Sequence, residues 1–272
     1  MVQSRIRLPS FIYLYNGGKT KSLNLKEILT YLKKKLTRTE VEIREDFIPF
    51  VLNKLPTEEK KILETIAIEL ASSKVRSISN KDITFKPLPA EVNYEKRRLI
   101  DPRHKATGIL YDSFRLISLF TKLIPKDESN FDHCHIIFTN QLFGTWSESD
   151  LRYHARVAVL GFPSIISTIG IVEAPAKPRE FYIKRQMGQN LFILKKEFKG
   201  RFIDDDDPQL TEVMKGYCMQ ALFFHMTGDP FCKDKNCRLY NAHWQEEVIQ
   251  AQLKSEYEFC NLHEEFLTKA TK

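Results

Sequence analysis

Residues 11–18 read FIYLYNGG: five apolar or aromatic side chains stopped by an asparagine and two glycines. A run that short, rich in β-formers and ended by turn residues, reads as a buried strand. The next stretch keeps helical spacing through Leu25, Ile28, Leu29, Leu32 and Leu36, and TEVEIREDF from Thr39 then alternates as a strand. Strand, helix and strand in that order predict an α/β (α+β) class.

Working outward, Thr57–Ser72 reads as a helix, with Thr57 as its cap and Glu58 and Glu59 in its first turn. Ser73–Lys105 is polar and irregular and is expected to be a surface excursion, and ATGILYDSFRLISLFTKLI (106–124) one long amphipathic helix. Cys134–Phe138 reads as a central strand, and VAVLGFPSIIST from Val157 as another strand with its turn. Pro175 and Pro178 mark a loop, whereas NLFILKKEF from Asn190 fits a strand or a helix start. Asp207 and Pro208 open a helix that reaches Met226, with Gly228 as its C′ residue. Further helices are expected over Ala242–Tyr257 and Cys260–Leu267, and no internal repeat is present. The organisation expected is an N-terminal α/β sheet subdomain over 1–207 and a C-terminal helical subdomain over 208–272.

With 42% hydrophobic and 28% charged residues among 272, the composition is that of an ordinary globular chain. No apolar run reaches the roughly 18 residues of a membrane span, and MVQSRIRLPSF lacks the apolar region of a secretory signal, so a cytoplasmic protein without a membrane partner is expected. There, clustered cysteines mean metal more often than disulfide, although the Lys/Glu/Ile-rich, Gly-poor composition also fits a hyperthermophile, where disulfides occur. The net charge of +7, with basic clusters at Lys33–Lys35, Glu95–Lys105 and Lys195–Arg201, permits a nucleic-acid or ribosome partner. No aromatic RNA-binding strand accompanies them, and solvated surface is the plainer reading. The acidic run Asp204–Asp207 most simply serves the following helix dipole, with a cation site as the alternative.

Cys232 and Cys237 flank four residues, and Cys260 and His263 flank two. Three thiolates and one imidazole in two short-range pairs suit tetrahedral zinc, and four protein ligands make such a site closed and structural. Ordinary thiols or a disulfide are the alternatives. Cys134 and Cys218 sit in apolar periodic contexts and read as inert core thiols.

ALFFHMTGDPFCKDKNCRL, residues 221–239, resembles the archaemetzincin pattern HExxHxxGxxH followed at once by Cys-x4-Cys, a methionine turn and a later CxxC. The resemblance puts His225 at the second histidine, Gly228 at the glycine and Cys232 and Cys237 at the first cysteine pair. Cys260 and His263 stand in for CxxC, after a longer spacer. It also puts Ala221 at the first zinc-binding histidine, Leu222 at the catalytic glutamate, Phe231 at the third histidine and Leu239 at the turn methionine. What it implies is a metzincin-like mixed twisted sheet with packed helices and a C-terminal zinc-binding segment, in an archaeal branch of metallopeptidase relatives. It further implies a catalytically degenerate protein, since a hydrolytic zinc needs about three protein ligands, an open water position and a base.

The leading expectation is therefore a pseudo-metallopeptidase with one structural zinc and a protein- or peptide-binding role, in which His225 is a hydrogen-bonded core histidine. Pro163, Pro175 and Pro178, with Lys177 and Arg179, would rim a surviving peptide groove. One alternative is a zinc hydrolase with a site rebuilt from His225, His243 and Glu247, joined by His154 or Glu173. His133 and His135 share one strand face but lack a third ligand. The other alternative is a basic RNA- or ribosome-associated factor.

Overall fold

A computed structural model describes residues 7–18, 20–54, 59–81, 85–101 and 108–271, and only the backbone of 59–61. The opening is strand β1 (Phe11–Gly17), helix α1 (Leu25–Lys35) and strand β2 (Glu40–Arg44), as expected. Helices α2 (Phe47–Lys54), α3 (Glu59–Ser72) and α4 (Pro89–Ile100) precede β3 (Leu110–Asp112) and α5 (Ser113–Leu123). Strands β4 (His133–Thr139), β5 (Leu142–Ser147), β6 (Arg152–Arg156), β7 (Ala158–Val159) and β8 (Ser164–Ser167) follow. The rest is helical: α6 (Gly170–Glu173), α7 (Arg179–Gln186), α8 (Leu191–Glu197), α9 (Leu210–Thr227), α10 (Gln245–Ile249) and α11 (Asn261–Thr271). A π-helical stretch, Gln250–Lys254, continues α10.

The main sheet has the order β2-β1-β4-β8-β7, parallel except for the edge strand β7, and a second sheet has the order β3-β5-β6. Ile12 lies opposite Cys134 and Leu14 opposite Ile136. On that face Ile12, Leu14, Ile136 and Phe138 pack against Ile28 and Leu32 of α1 and against α9. On the other, Tyr13, Tyr15 and Ile137 pack against Phe47 of α2 and against Leu116 and Phe120 of α5. A parallel strand covered on both sides has no solvent face to mark with polar residues, which is why FIYLY and CHIIF read as runs. The α9-side core continues without a break into Leu239, Val248 and Leu267.

Helix α9 is buried from Val213 to Phe223, and Gly228 ends it in the left-handed region at φ 74°. It starts at Leu210 rather than Pro208, with the Asp207 carboxylate accepting from the Gln209 N–H at 2.8 Å. At its middle the backbone of Gly216 lies against the amide of Gln252, leaving no room for a Cβ.

Several expectations are corrected. The supposed surface excursion contains α4, begun by Pro89 and capped by Glu91, whose carboxylate accepts from the Leu88 N–H at 2.9 Å. Two of its charged residues are inside: fully buried Glu95 takes Lys74 and Arg98, both at 2.8 Å, and the Tyr111 hydroxyl at 2.9 Å. Hydropathy cannot foresee charges buried in pairs. The single long helix over 106–124 is instead β3 and α5, because Asp112 caps α5 by accepting from the Arg115 N–H at 3.0 Å. Asn190 settles the ambiguous stretch as helix α8 by accepting from the Phe192 N–H at 2.8 Å. Helix α7 starts directly after Pro178 and shortens the expected loop. Thr57 and Glu58 lie outside the described residues. No helix among the described residues is long and apolar enough to cross a membrane.

Candidate functional site

Cys232 and Cys237 lie on the loop after α9, Cys260 just before α11 and His263 in its first turn. Folding brings one ligand atom of each within 4.8 Å of every other, the one such His/Cys/Asp/Glu group among the described residues. The Cys232 and Cys260 sulfurs are 3.8 Å apart, and His263 Nδ1 lies 3.7 Å from the Cys237 sulfur and 3.0 Å from that of Cys260. Two sulfurs bound to one tetrahedral zinc are about 3.8 Å apart, whereas a disulfide needs about 2.05 Å. All five cysteines are free.

The surroundings suit thiolates. The Asp234 N–H donates to the Cys232 sulfur at 3.3 Å, and the backbone at Leu239 and Cys260 does the same for Cys237. Asp234 holds the knuckle by accepting from the Asn236 N–H at 3.0 Å and the Tyr257 hydroxyl at 2.5 Å. As free thiols these groups would resist ionisation: burial pushes Cys237 up to about 12 and Cys232 upward. Burial also holds His263 below its ordinary 6.5. A divalent cation reverses the balance by paying the desolvation with metal–thiolate bonds, so the donor set fits zinc. Glu258 ties this segment to α1, accepting from Tyr31 at 2.6 Å and Lys35 at 2.5 Å.

Helix α9 itself carries a different geometry. A cleft of about 480 Å³ runs beside the edge strand β7, lined by Tyr217, Gln220 and Phe224 of α9 and also by Phe231 and His243. Ala221 and Leu222 are fully buried and do not line it. Tyr217, Gln220 and Phe224 carried no signal as a wall, because a helix buried nearly all round shows no apolar stripe to tell cleft from core. Gln220 donates to the Tyr240 carbonyl at 3.1 Å, while the buried Tyr217 hydroxyl has no hydrogen-bond partner among the described residues.

The other candidates are dispersed. His225 is half-buried, its Nε2 donating to the Phe131 carbonyl at 2.7 Å and its ring stacked on Phe131, in a separate hollow beside Phe162. Burial lowers its pKa. His243 is exposed at the cleft, and Glu247 caps α10 by accepting from the His243 and Trp244 N–H groups at 2.9 and 3.1 Å. His225, His243 and Glu247 thus form no common ligand group. His154 pairs with Asp150 at 2.7 Å, and Glu173 ends α6. His133 and His135 each accept from or donate to a tyrosine, Tyr13 and Tyr15, at 3.0 Å. Pro175 lines the cleft, while Pro163 and Pro178 do not, and Lys177 turns inward to the Val172 carbonyl at 2.7 Å. The basic rim is therefore incomplete. Asp204 and Asp205 lie on Lys195, and Asp206 accepts from Thr20.

Comparison with known proteins places these features in a family. The model described as "Probable metallopeptidase family (DUF6775)" matches residues 8–270, and the chain belongs to that family. No curated protein matches it. Among solved structures, archaemetzincin from Methanopyrus kandleri is similar at a TM-score of 0.46 and 13% identity, over 99% of this chain and 98% of that one.

Proposed function

We propose that this member of the probable metallopeptidase family is a catalytically silent protein, with one structural zinc on Cys232, Cys237, Cys260 and His263 and a cleft that binds an extended peptide. One observation carries the reading: the ligand group consists of four protein donors, which fill a tetrahedral zinc and leave no position for a reacting water. Bound there, zinc would supply cross-linking rather than Lewis acidity. The sequence pattern supports the same view, since the positions that match a first histidine and its glutamate hold Ala221 and Leu222, both fully buried.

The cleft supports a binding role. Strand β7 is the edge of the main sheet, and a peptide laid beside it could extend the sheet by backbone hydrogen bonds. Phe224 and Phe231 offer apolar surface for its side chains, and the Tyr217 hydroxyl a polar contact.

Elemental analysis of the purified chain tests the zinc assignment, with Cys232→Ser/Cys260→Ser alongside and peptide hydrolysis measured on both. One zinc in the parent, none in the variant and no hydrolysis are expected. A second metal that survives in the variant, together with hydrolysis by the parent, would overturn the silent reading. Fluorescence polarisation with a library of extended peptides tests the cleft, and binding unaffected by Phe224→Ala would remove it.

A further inference from the structure

The helical hairpin of α7 and α8 is unlike the rest of the surface. Its inner side has a small core of its own, in which Phe181 packs edge to face on Phe198 and on Phe202, with Leu194 buried beside them. Its outer side and tip expose Ile183, Met187, Leu191, Phe192 and Ile193, with Met187 at 81% and Phe192 at 77%. Gly188, at φ 87° with open space around it, makes the turn between them. Five large apolar side chains on one short hairpin exceed the scattered exposed residues normal for a soluble surface.

Charge on the hairpin is equally one-sided. Residues 177–201 carry eight Lys/Arg and two Glu, a balance of 8 − 2 = +6 within a chain of +7. Lys184, Lys195 and Arg201 are held in ion pairs, and the acidic run after the hairpin is engaged by Lys195 and Thr20. Arg179, Arg185, Lys196 and Lys199 have no acidic partner within ion-pair distance among the described residues.

We propose that this hairpin docks on an anionic phospholipid surface, with Met187, Phe192 and Ile193 entering the headgroup–acyl boundary and the unpaired Lys and Arg side chains meeting lipid phosphates. The chemistry selects this partner. A polyanion such as RNA would satisfy the cations but leave the aliphatic tip in water, and a neutral apolar groove would take the tip but not the cations. An anionic bilayer takes both. Such docking is peripheral and needs no spanning helix.

The test is flotation of the purified full-length chain with vesicles of phosphatidylcholine alone and of phosphatidylcholine mixed with phosphatidylglycerol. The parent should partition onto the mixed vesicles and far less onto the neutral ones, with partition weakening as salt rises. Met187→Ser/Phe192→Ser and Lys196→Glu/Lys199→Glu should each lower partition by about tenfold. All four side chains are exposed, so zinc content and melting temperature should stay unchanged. Equal partition onto both vesicle types would overturn the proposal. So would a tip variant that floats like the parent, which would leave simple polyanion attraction. Self-association of the parent without lipid, abolished by the tip variant, would reassign the face to a second copy of the chain.

Discussion

Lowering the pH should cost this protein stability through one residue, His135, by an amount its surroundings define. The ring is 1% exposed, between β1 and the turn before β4. Its Nε2 lies 3.1 Å from the Glu128 carbonyl, which can only accept, so Nε2 carries the hydrogen. Nδ1 then accepts from the Tyr15 hydroxyl at 3.0 Å, which itself accepts from Arg44 at 3.1 Å. Every hydrogen bond is satisfied by the neutral ring. Protonation would put a second donor against Tyr15, beside the Arg44 guanidinium. Burial is the largest cause of the resulting shift, which takes the pKa from 6.5 down to about 4. Below its ordinary value the unfolded chain takes up a proton that the folded one refuses. The contribution is thus complete above 6.5 and is lost as the pH falls toward 4. A gap of about 2.5 units corresponds to roughly 3 kcal/mol in total, of which about 2 kcal/mol is gone by about pH 5. Urea unfolding of the parent and of His135→Gln, followed by circular dichroism from about pH 7 to about pH 5, reads this directly. The variant is less stable at neutral pH, and the gap between the two should close by about 2 kcal/mol across that range. Taking the difference cancels groups common to both proteins, the Cys/His site included. A gap that stays constant with pH would refute the reasoning.

Gly216→Ala should destabilise by about 1–3 kcal/mol in thermal melts, although alanine favours a helix by about 1 kcal/mol, because the new methyl displaces the buried Gln252 amide from the Arg238 carbonyl. Chelation at neutral pH should lower the melting temperature and speed hydrogen exchange first in residues 229–271, an effect absent from Cys232→Ser/Cys260→Ser. Ala221→His/Leu222→Glu, which writes back the matched pattern, should yield a poorly folded protein without extra bound metal, since both side chains would enter the core; elemental analysis and circular dichroism decide it. Glu128→Gln should cost about 1–3 kcal/mol in urea unfolding, because it removes the carboxylate that meets the buried Arg44 at 2.6 Å and leaves it only that of Glu42, at 3.2 Å.

What could be read in advance follows from how each feature is encoded. The βαβ opening and the Cys/His group depend on residue type at short spacing, and both are plain in the sequence. The helix α4 was hidden because its interior face places Glu95 and Arg98 beside Val92, and the burial of those charges depends on Lys74 and Tyr111 from distant segments. The break between β3 and α5 was marked by Asp112, an available cap that the continuous apolar spacing of 109–124 outweighed. For the cleft, the sequence pattern singles out 221, 222 and 225, whereas the wall is 217, 220 and 224. Which side of a fully buried helix faces a cavity is decided by its neighbours, and a single sequence does not contain them. The hairpin tip was obscured in the same way, since Leu194 and Phe192 have similar hydropathy and opposite exposure.

The Cys/His group also has a consequence in polymer terms. Cys232 and Cys260 are 28 residues apart, and a metal between them closes that length of chain into a loop. A covalent bridge over such a loop would remove unfolded-state entropy worth about 3.5 kcal/mol. Zinc would do a disulfide's work here through bonds that answer to chelators and acidity rather than to reductants, so that the C-terminal segment would be fastened or released by metal supply.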